Sequence, residues 1–354
     1  MKLLNPGPVS MTDRVRRALA SDDVCHREPE FSALMERVRG RIAAIYGEPG
    51  FRPVLLGGSG TSAVEAMLTL VSPAKKALVV ANGVYGERMA AMLRAQNKPH
   101  EVVASAAWTN AMDLAGVEKA LASGTYGHVL AVHHETTTGR LNDIAALGAL
   151  CKRFDVPMLL DAVSSFAGEE IRMVDWNIEA LAATANKCVH GAPGVSFVLA
   201  REEALARPGF ATSVYLDLVR HANEQKKGSA PFTLPTHVMA AFDEALAELA
   251  EEGGWKKRHE TYKARSTRVR NVLAELGIHL LLDRDDAYGS TLTSFRLPEG
   301  KTYEALHARL KSDGFVIYAG QGKFDGAIFR IAVMGDLSTA DIDRLAASLR
   351  GALG

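Results

Sequence analysis

The sequence predicts an α/β protein with a mostly parallel central sheet and a smaller C-terminal α+β unit. Short apolar runs alternate with helical patterns between about residues 51 and 201, and this repetition is typical of parallel sheets with right-handed crossovers. Most of these runs are continuously apolar, as expected of strands that are covered on both faces. After about residue 208 the rhythm changes to longer helical patterns, which predict a second, smaller unit.

The individual elements follow from the same patterns. The strands predicted for the central sheet are PVLLGG (53–58), ALVVANG (77–83), HVLAVHH (128–134), VPMLLDA (156–162), ALAATA (180–185) and GVSFVLA (194–200). The helices predicted between them span 62–71, 86–96, 115–123 and 144–154. Two helices are predicted after residue 208, at 237–254 and 255–277, and the remainder is predicted to be a smaller α+β unit with helices at 303–314 and 338–353 and strands at 291–297, 315–320 and 327–333.

Composition excludes several classes of protein. Lys plus Arg (41) balances Asp plus Glu (41), so the basic footprint of a nucleic-acid-binding protein is missing. The N-terminus has no apolar core of the kind a signal peptide needs, and no apolar run is long enough to predict a membrane span. Cys25, Cys151 and Cys188 show neither a pairing nor a metal-ligand spacing. We therefore expect a reduced, cytoplasmic protein without a bound metal and without nucleic-acid or membrane partners.

A glycine-rich turn, GGSGT (57–61), lies between a predicted strand and a predicted helix. Free backbone N–H groups and the helix dipole make such a turn suitable for a phosphate, and Ser59 and Thr61 add hydroxyl groups. A tight turn with a Ser or Thr N-cap explains the same residues equally well. The turn lacks the lysine of a P-loop and the G-x-G-x-x-G spacing, and Thr61 breaks the G-x-S-x-G pattern.

Three further clusters follow predicted strands. HHETTTG (133–139) carries three consecutive threonines, and its histidine pair has no further ligand at metal-binding spacing. Asp161 ends an apolar run. An unpaired buried carboxylate is costly, so this acid is expected at the mouth of the sheet rather than in the core. A helix N-cap or a ribose-binding acid is the alternative.

Lys187 lies between an apolar strand and a glycine-rich loop. Burial lowers the pKa of a lysine, and a neutral amine is what Schiff-base chemistry needs.

The order of these clusters is more informative than any one of them. A phosphate-binding turn, a strand end rich in hydroxyls, Asp161 and then Lys187 follow one another as in fold-type I enzymes that use pyridoxal 5′-phosphate (PLP). This cofactor needs a lysine to bond its aldehyde and an acid to pair its ring nitrogen. The order therefore predicts a fold-type I PLP-dependent transferase.

The chain resembles the class V aminotransferases over nearly its whole length. The matching stretches are LLNPGP (3–8), CHREPEF (25–31), GGSGTSAVEA (57–66), NGVYGERM (82–89), HHETTTGRLND (133–143), DAVSSFAGEE (161–170), ANKCVHGAPG (185–194), FTLPTH (232–237), GFVIYAGQG (314–322) and FRIAVMGDL (329–337). Several of these stretches are most similar to the members that act on 2-aminoethylphosphonate. The resemblance then implies 2-aminoethylphosphonate plus pyruvate as substrates, with phosphonoacetaldehyde and L-alanine as products. Alanine–glyoxylate or serine–glyoxylate transamination is the alternative.

The resemblance also implies roles for individual residues. Lys187 corresponds to the Schiff-base lysine that shuttles a proton, and Asp161 to the partner of the ring nitrogen. Arg330 corresponds to the arginine that holds the acidic group of the substrate; a strand residue that pairs with a surface acid is the alternative. The remaining cofactor-binding positions are the phosphate cup Ser59, Gly60 and Thr61, the ring faces Tyr85 and Val163, the polar neighbours Thr136 and Asn186, and Thr233, which reaches the phosphate of the neighbouring subunit.

This set of residues defines the expected organisation and partners. We expect a homodimer with shared active sites that uses an amine donor and a 2-oxo acid. The chain should divide into an N-terminal segment at the active site (1–15), a large PLP-binding domain (16–250) and a small domain (251–354).

One departure from the family pattern is Val333, which stands where a polar residue is expected after the arginine. A cysteine desulfurase is disfavoured because Cys188 is the last cysteine, whereas that chemistry needs one well after the lysine.

Overall fold

The computed structural model describes residues 1–354. Its strands are β1 (Lys2–Leu3), β2 (Phe51–Gly58), β3 (Lys76–Ala81), β4 (His100–Ala104), β5 (Tyr126–Val132), β6 (His134–Glu135), β7 (Arg140–Leu141), β8 (Met158–Asp161), β9 (Ile178–Thr184), β10 (Gly194–Arg201), β11 (Leu292–Arg296), β12 (Phe315–Val316), β13 (Tyr318–Ala319) and β14 (Ile328–Ala332). Its α-helices are α1 (Asp13–Ala18), α2 (Pro29–Ala44), α3 (Gly60–Met67), α4 (Val84–Ala95), α5 (Leu114–Ser123), α6 (Ile144–Arg153), α7 (Glu202–Ala206), α8 (Leu218–Lys226), α9 (Thr236–Glu251), α10 (Gly254–Glu275), α11 (Tyr303–Ser312) and α12 (Thr339–Leu353).

The central sheet contains seven strands in the order β2-β10-β9-β8-β5-β3-β4. Only β10 runs antiparallel to its neighbours, so the prediction of a mostly parallel sheet is confirmed. Successive residues of β2 enter different apolar cores, with Leu55 in one and Val54 and Leu56 in the other. Side chains alternate across a strand, so both faces of this sheet are covered. This double burial explains why the strands read as continuous apolar runs.

The C-terminal part of the chain forms a separate three-stranded antiparallel sheet in the order β11-β14-β13. Helices α10, α11 and α12 belong to the same stretch of sequence, as the helical patterns predicted. The first strand of the chain joins this region, because β1 pairs in parallel with β12. None of the twelve helices combines the length and the apolar character that crossing a bilayer requires.

Several elements differ from the prediction, since the strands β1, β4, β6 and β7 and the helices α1, α2, α7 and α8 were not predicted. The single strand expected at 315–320 is wrong: β12 pairs with β1 and β13 pairs with β14, so the chain passes from one sheet to another at the buried Ile317. The edge strand β4 was not predicted, because its side chains are largely exposed and give no continuous apolar run. Helix α2 was also missed, although its buried Phe31, Met35, Val38 and Ile42 recur at helical spacing.

Candidate active site

The predicted site residues lie at the carboxyl edge of the central sheet. The glycine turn follows β2, Asp161 is the last residue of β8, and Lys187 comes shortly after the end of β9. These three strands point in the same direction, so their carboxyl ends meet at one edge of the sheet. Ligands of open α/β sheets bind at this edge.

Lys187 is held among polar groups in a partly buried position. Its Nζ donates a hydrogen bond to Ser164 Oγ at 2.7 Å. Burial lowers the pKa of Lys187 to about 8, and the nearby Asp161 partly opposes this decrease. The backbone of Gly7 lies beside the lysine stem, since a Cβ there would be only 3.1 Å from Lys187 Cγ. An amine with this pKa is partly neutral near pH 7, as nucleophilic and proton-transfer roles require.

Asp161 is a buried carboxylate at the end of β8. Its Oδ1 accepts a hydrogen bond from the backbone N–H of Val163 at 2.9 Å. Burial raises the pKa of Asp161, while this hydrogen bond and the charges of Lys187 and Arg88 lower it. A buried carboxylate of this kind gains stability when a cation binds beside it.

A small cleft lies between the glycine turn, helix α4 and the end of β8. It is lined by Gly60, Thr61, Val64, Tyr85, Arg88, Met89, Met92, Asp161 and Val163. Ser59 and Thr61 are exposed at the N-terminus of α3, and Ser59 makes no side-chain capping bond. Gly60 has no room for a larger residue, because its Cβ would lie 2.7 Å from Val163 Cγ1. The turn therefore presents hydroxyl groups and a helix N-terminus to this cleft, which suits a phosphate.

Tyr85 and Arg88 stand together on the cleft side of α4. The Arg88 guanidinium carbon is 4.7 Å from the centre of the Tyr85 ring, which is a cation–π distance. Val163 lines the same cleft. The structure thus brings the predicted ring-face residues, Tyr85 and Val163, into one cleft with Asp161.

Arg330 is fully buried in β14. Its Nε donates to Ala319 O at 2.8 Å and its Nη1 to Thr136 O at 2.7 Å, while its Nη2 has no partner. The ring of Tyr318 lies 4.9 Å from the guanidinium carbon. Burial lowers the pKa of Arg330, and the hydroxyl of Thr136 is also buried without a partner. An unused guanidinium N–H and an unused hydroxyl in one buried region can bind an oxygen-rich anion.

The last two predicted residues differ in their placement. Asn186 Oδ1 accepts from Thr184 Oγ1 at 2.7 Å, which ties it to the end of β9 just before Lys187. Thr233 is exposed, and its hydroxyl is 3.3 Å from His26 Nε2. No hydrogen bond joins Thr233 to the glycine turn within the protomer. Every predicted site residue except Thr233 therefore belongs to, or adjoins, this one edge of the sheet.

Three residues at the site were not predicted. Ser164 contacts Lys187, Arg88 contacts Tyr85, and Glu135 accepts from the backbone N–H of Tyr85 at 3.1 Å. The spacing of Tyr85 and Arg88 on one helix face was a usable signal for Arg88. The contacts of Ser164 and Glu135 depend on tertiary packing and had no equivalent signal.

The fold and this site define the class of protein as a fold-type I PLP-dependent enzyme. The sequence matches the family Aminotransferase class-V over residues 14–334. The chain belongs to this family. It is 37% identical over 99% of its length to a "2-aminoethylphosphonate--pyruvate transaminase" from Salmonella paratyphi C, and covers 97% of that protein. A relative of the same name from Vibrio vulnificus is 38% identical over 99% of the chain and is covered to 97%.

Solved structures show the same fold. An aspartate aminotransferase from Thermus thermophilus superposes with a TM-score of 0.91 at 26% identity, covering 100% of this chain and 99% of the other. The chain is thus a PLP-dependent aminotransferase. Its own residues fit that cofactor, because the buried Asp161 and the glycine turn border one cleft, and the partly neutral amine of Lys187 lies close enough to Asp161 for the carboxylate to raise its pKa. When bound, PLP supplies an aldehyde that bonds amines and a ring that accepts electrons from the carbon bearing the amine.

Proposed function

We propose that the protein transfers the amino group of 2-aminoethylphosphonate to pyruvate, which yields phosphonoacetaldehyde and L-alanine. The names of the relatives from Salmonella and Vibrio support this choice of substrates. The observation that carries the proposal is the buried Arg330, whose Nη2 has no protein partner. A planar guanidinium suits the oxygens of a phosphonate or a carboxylate, so the same group serves both donor and acceptor in turn.

The reacting amine in this proposal is Lys187. Its Nζ would hold the cofactor through its aldehyde and, when free, would move a proton from the carbon bearing the substrate amine. Ser164 accepts from Nζ at 2.7 Å and keeps it at the carboxyl edge of the sheet. The pKa of about 8 supports this role, because an amine that both takes up and releases a proton works best near the ambient pH.

The cofactor is held, in this proposal, by groups from three sides. Asp161 pairs the ring nitrogen and keeps it protonated, while Tyr85 and Val163 contact the two ring faces. Thr136 and Asn186 supply polar contacts near the lysine. Ser59, Gly60 and Thr61 bind the phosphate at the N-terminus of α3, where the helix dipole favours an anion.

We also propose that the protein is a homodimer, in which Thr233 reaches the phosphate cup of the neighbouring subunit. The exposure of Thr233 supports this arrangement. The exposed apolar side chains of Val214 and Tyr215 support it as well, because the Tyr215 hydroxyl donates to Gly57 O at the glycine turn. Burial of this surface in a dimer would remove apolar area from water next to the cup.

The division into segments 1–15, 16–250 and 251–354 and the cytoplasmic location complete the proposal. The contact between Gly7 and Lys187 supports an N-terminal segment that packs at the active site. The separate antiparallel sheet of β11, β14 and β13 supports a small C-terminal domain.

A visible absorption spectrum of the purified, cofactor-loaded protein tests this function. We expect a yellow band that bleaches when 2-aminoethylphosphonate is added and returns when pyruvate follows. A band that responds only to alanine or serine would contradict the proposed donor and favour a glyoxylate-linked reaction. A protein that shows no band after incubation with PLP would contradict the whole proposal.

Arg330→Lys tests whether Arg330 binds the acidic group of the donor. Lysine keeps the positive charge but loses the planar pair of N–H groups, so we expect kcat/KM for 2-aminoethylphosphonate to fall roughly ten- to a hundredfold. The visible band of the bound cofactor should be unchanged. An unchanged kcat/KM would show that Arg330 does not hold the acidic group.

A further inference from the structure

Glu135 is a fully buried carboxylate that accepts hydrogen bonds from the backbone of two separate segments. It ends β6, next to Thr136, and 0% of its surface is exposed. Oε2 accepts from the N–H of Tyr85 at 3.1 Å, and Oε1 accepts from the N–H of Thr137 at 3.1 Å. Burying a carboxylate without a cation is costly, so such a residue usually has a specific task.

The carboxylate of Glu135, at the end of β6, caps the N-terminus of helix α4. The helix begins after Gly83, which has no side chain and makes no capping bond of its own. The Glu135 side chain fills the space above Gly83, because a Cβ there would lie only 2.3 Å from Glu135 Cδ. A carboxylate at this end of the helix is favoured by the unpaired N–H groups and by the helix dipole. The N-terminal cap of α4 therefore comes from the last residue of β6, directly before Thr136.

Glu135 joins two parts of the cofactor site. One is the first turn of α4, which carries Tyr85, and the other is the turn that carries Thr136 and Thr137. A second bond runs in parallel, from the N–H of Val84 to Thr137 Oγ1 at 3.3 Å. The same turn is held from the opposite side by Arg330, whose Nη1 donates to Thr136 O. The spacing between Tyr85 and Thr136 thus depends directly on Glu135.

We infer that Glu135 is a positioning residue, which fixes Tyr85 relative to Thr136 and thereby sets the orientation of the cofactor ring. This inference rests on the proposed roles of Tyr85 and Thr136. Glu135 itself acts through the backbone of these two segments and does not touch the reacting atoms. The consequence is that a change at Glu135 alters how the cofactor is held, in addition to any effect on folding.

Glu135→Gln tests the inference with little change in shape. An amide offers one acceptor oxygen where the carboxylate offers two, so one backbone N–H loses its partner and faces an NH₂ group. We expect the Kd of the apoprotein for PLP to rise about ten- to a hundredfold. The visible circular dichroism of the bound cofactor should also change, since this signal reports how the ring is oriented in its asymmetric site.

Glu179→Gln is the matched control. Glu179 is also a buried carboxylate, but it lies near the amino end of β9, where it pairs with His128 at 2.9 Å and Arg207 at 2.6 Å. We expect this variant to lose thermal stability while keeping the wild-type Kd for PLP and the wild-type circular dichroism. If Glu135→Gln also loses only stability, Glu135 has a structural role alone and the inference is overturned.

Gly83→Ala disturbs the packing of the Glu135 side chain against Gly83 without changing a polar group. The φ of Gly83 is 174°, an extended conformation open to any residue, so the new methyl group acts only by displacing the Glu135 side chain. We expect the same direction of change in Kd and circular dichroism as in Glu135→Gln. The two changes should not be additive in the double variant, because both break one contact. Wild-type cofactor binding in Gly83→Ala, or full additivity, would overturn the inference.

The outcomes also separate this inference from the proposed function. Wild-type protein that fails to bind PLP would overturn both. Wild-type protein that binds PLP and bleaches with 2-aminoethylphosphonate, together with variants that bind PLP as the wild type does, would overturn the positioning role only.

Discussion

Burial lowers the pKa of the partly buried Lys187 and of the buried Lys98 to about 8, yet the two lysines lie in very different surroundings. Lys98 comes just before β4, at the amino edge of the sheet, and its Nζ donates to Leu68 O at 2.5 Å. Lys187 lies at the carboxyl edge, beside Ser164 and Asp161. Burial alone lowers the pKa of Lys98. The pKa of Lys187 is lowered by burial and partly raised again by the carboxylate of Asp161.

The comparison shows that a lowered lysine pKa does not by itself identify an active site. Perturbed pKa values are enriched at functional sites, but structural burial produces them as well. The difference lies in the neighbours: Lys98 donates to a backbone carbonyl, whereas Lys187 lies beside the hydroxyl group of Ser164 and near the carboxylate of Asp161. The following predictions test whether these neighbours account for the difference.

The largest expected effect is on turnover. Lys187→Ala should lower kcat by more than about a thousandfold, because no other amine replaces the one that reacts. Lys98→Met, which keeps a long side chain, should leave kcat near the wild-type value. Steady-state assays of both variants with 2-aminoethylphosphonate and pyruvate provide the measurement. Equal losses of kcat in the two variants would show that the neighbours of Lys187 do not account for its difference from Lys98.

Asp161→Ala comes next in size. Removal of the carboxylate takes away the proposed partner of the ring nitrogen, so kcat should fall roughly a hundred- to a thousandfold. The far-ultraviolet circular dichroism of the variant should match that of the wild type, which shows that the fold is intact. Near-normal turnover would mean that the assignment of Asp161 is wrong.

The reaction of the apoprotein with PLP should depend on pH. Only the neutral amine of Lys187 bonds an aldehyde, so the rate should rise up to about pH 8 and then level off. At pH 6 it should be about a hundredfold below the plateau. Asp161→Ala should move the midpoint to lower pH, since Asp161 raises the pKa of Lys187. Stopped-flow absorbance measures the rate, and an identical midpoint in both proteins would contradict this coupling.

The smallest effect concerns stability. The pKa of Lys98 falls from 10.5 to about 8 on folding, so the unfolded chain binds more protons between these pH values. The wild type should therefore gain stability as pH rises from 8 to 10.5, by an amount on the order of 3 kcal/mol from this lysine. Lys98→Met should lack this contribution. Urea unfolding across this pH range measures the difference, and parallel curves for the two proteins would refute it.

Much of this protein could be predicted from local patterns. Strands buried on both faces, such as β2 and β9, give apolar runs, and the residues that follow them mark the carboxyl edge of the sheet. Asp161 and Lys187 stood out because each is a charged residue at the end of such a run or shortly after it. The family resemblance then supplied Tyr85 and Arg330, which no pattern in the sequence singles out, and a role for Thr136 within the threonine cluster.

Other features depend on contacts between distant parts of the chain. The sequence does not show that Arg330 is fully buried with an unpaired Nη2, because its partners come from β13 and from the turn after β6. The side chain that caps α4 is equally remote, since Glu135 and Gly83 lie on separate elements. The exposed strand β4 gave no apolar signal at all.

The pairing of β1 with β12 has a consequence for the synthesis of the protein on the ribosome. Lys2 pairs with Phe315, and Gly7, a few residues after β1, lies against Lys187. Lys2 and Leu3 are therefore synthesised long before Phe315 and Val316, with which their strand pairs. The segment beside Lys187 is thus expected to gain its strand partner only after residues 315–316 have left the ribosome.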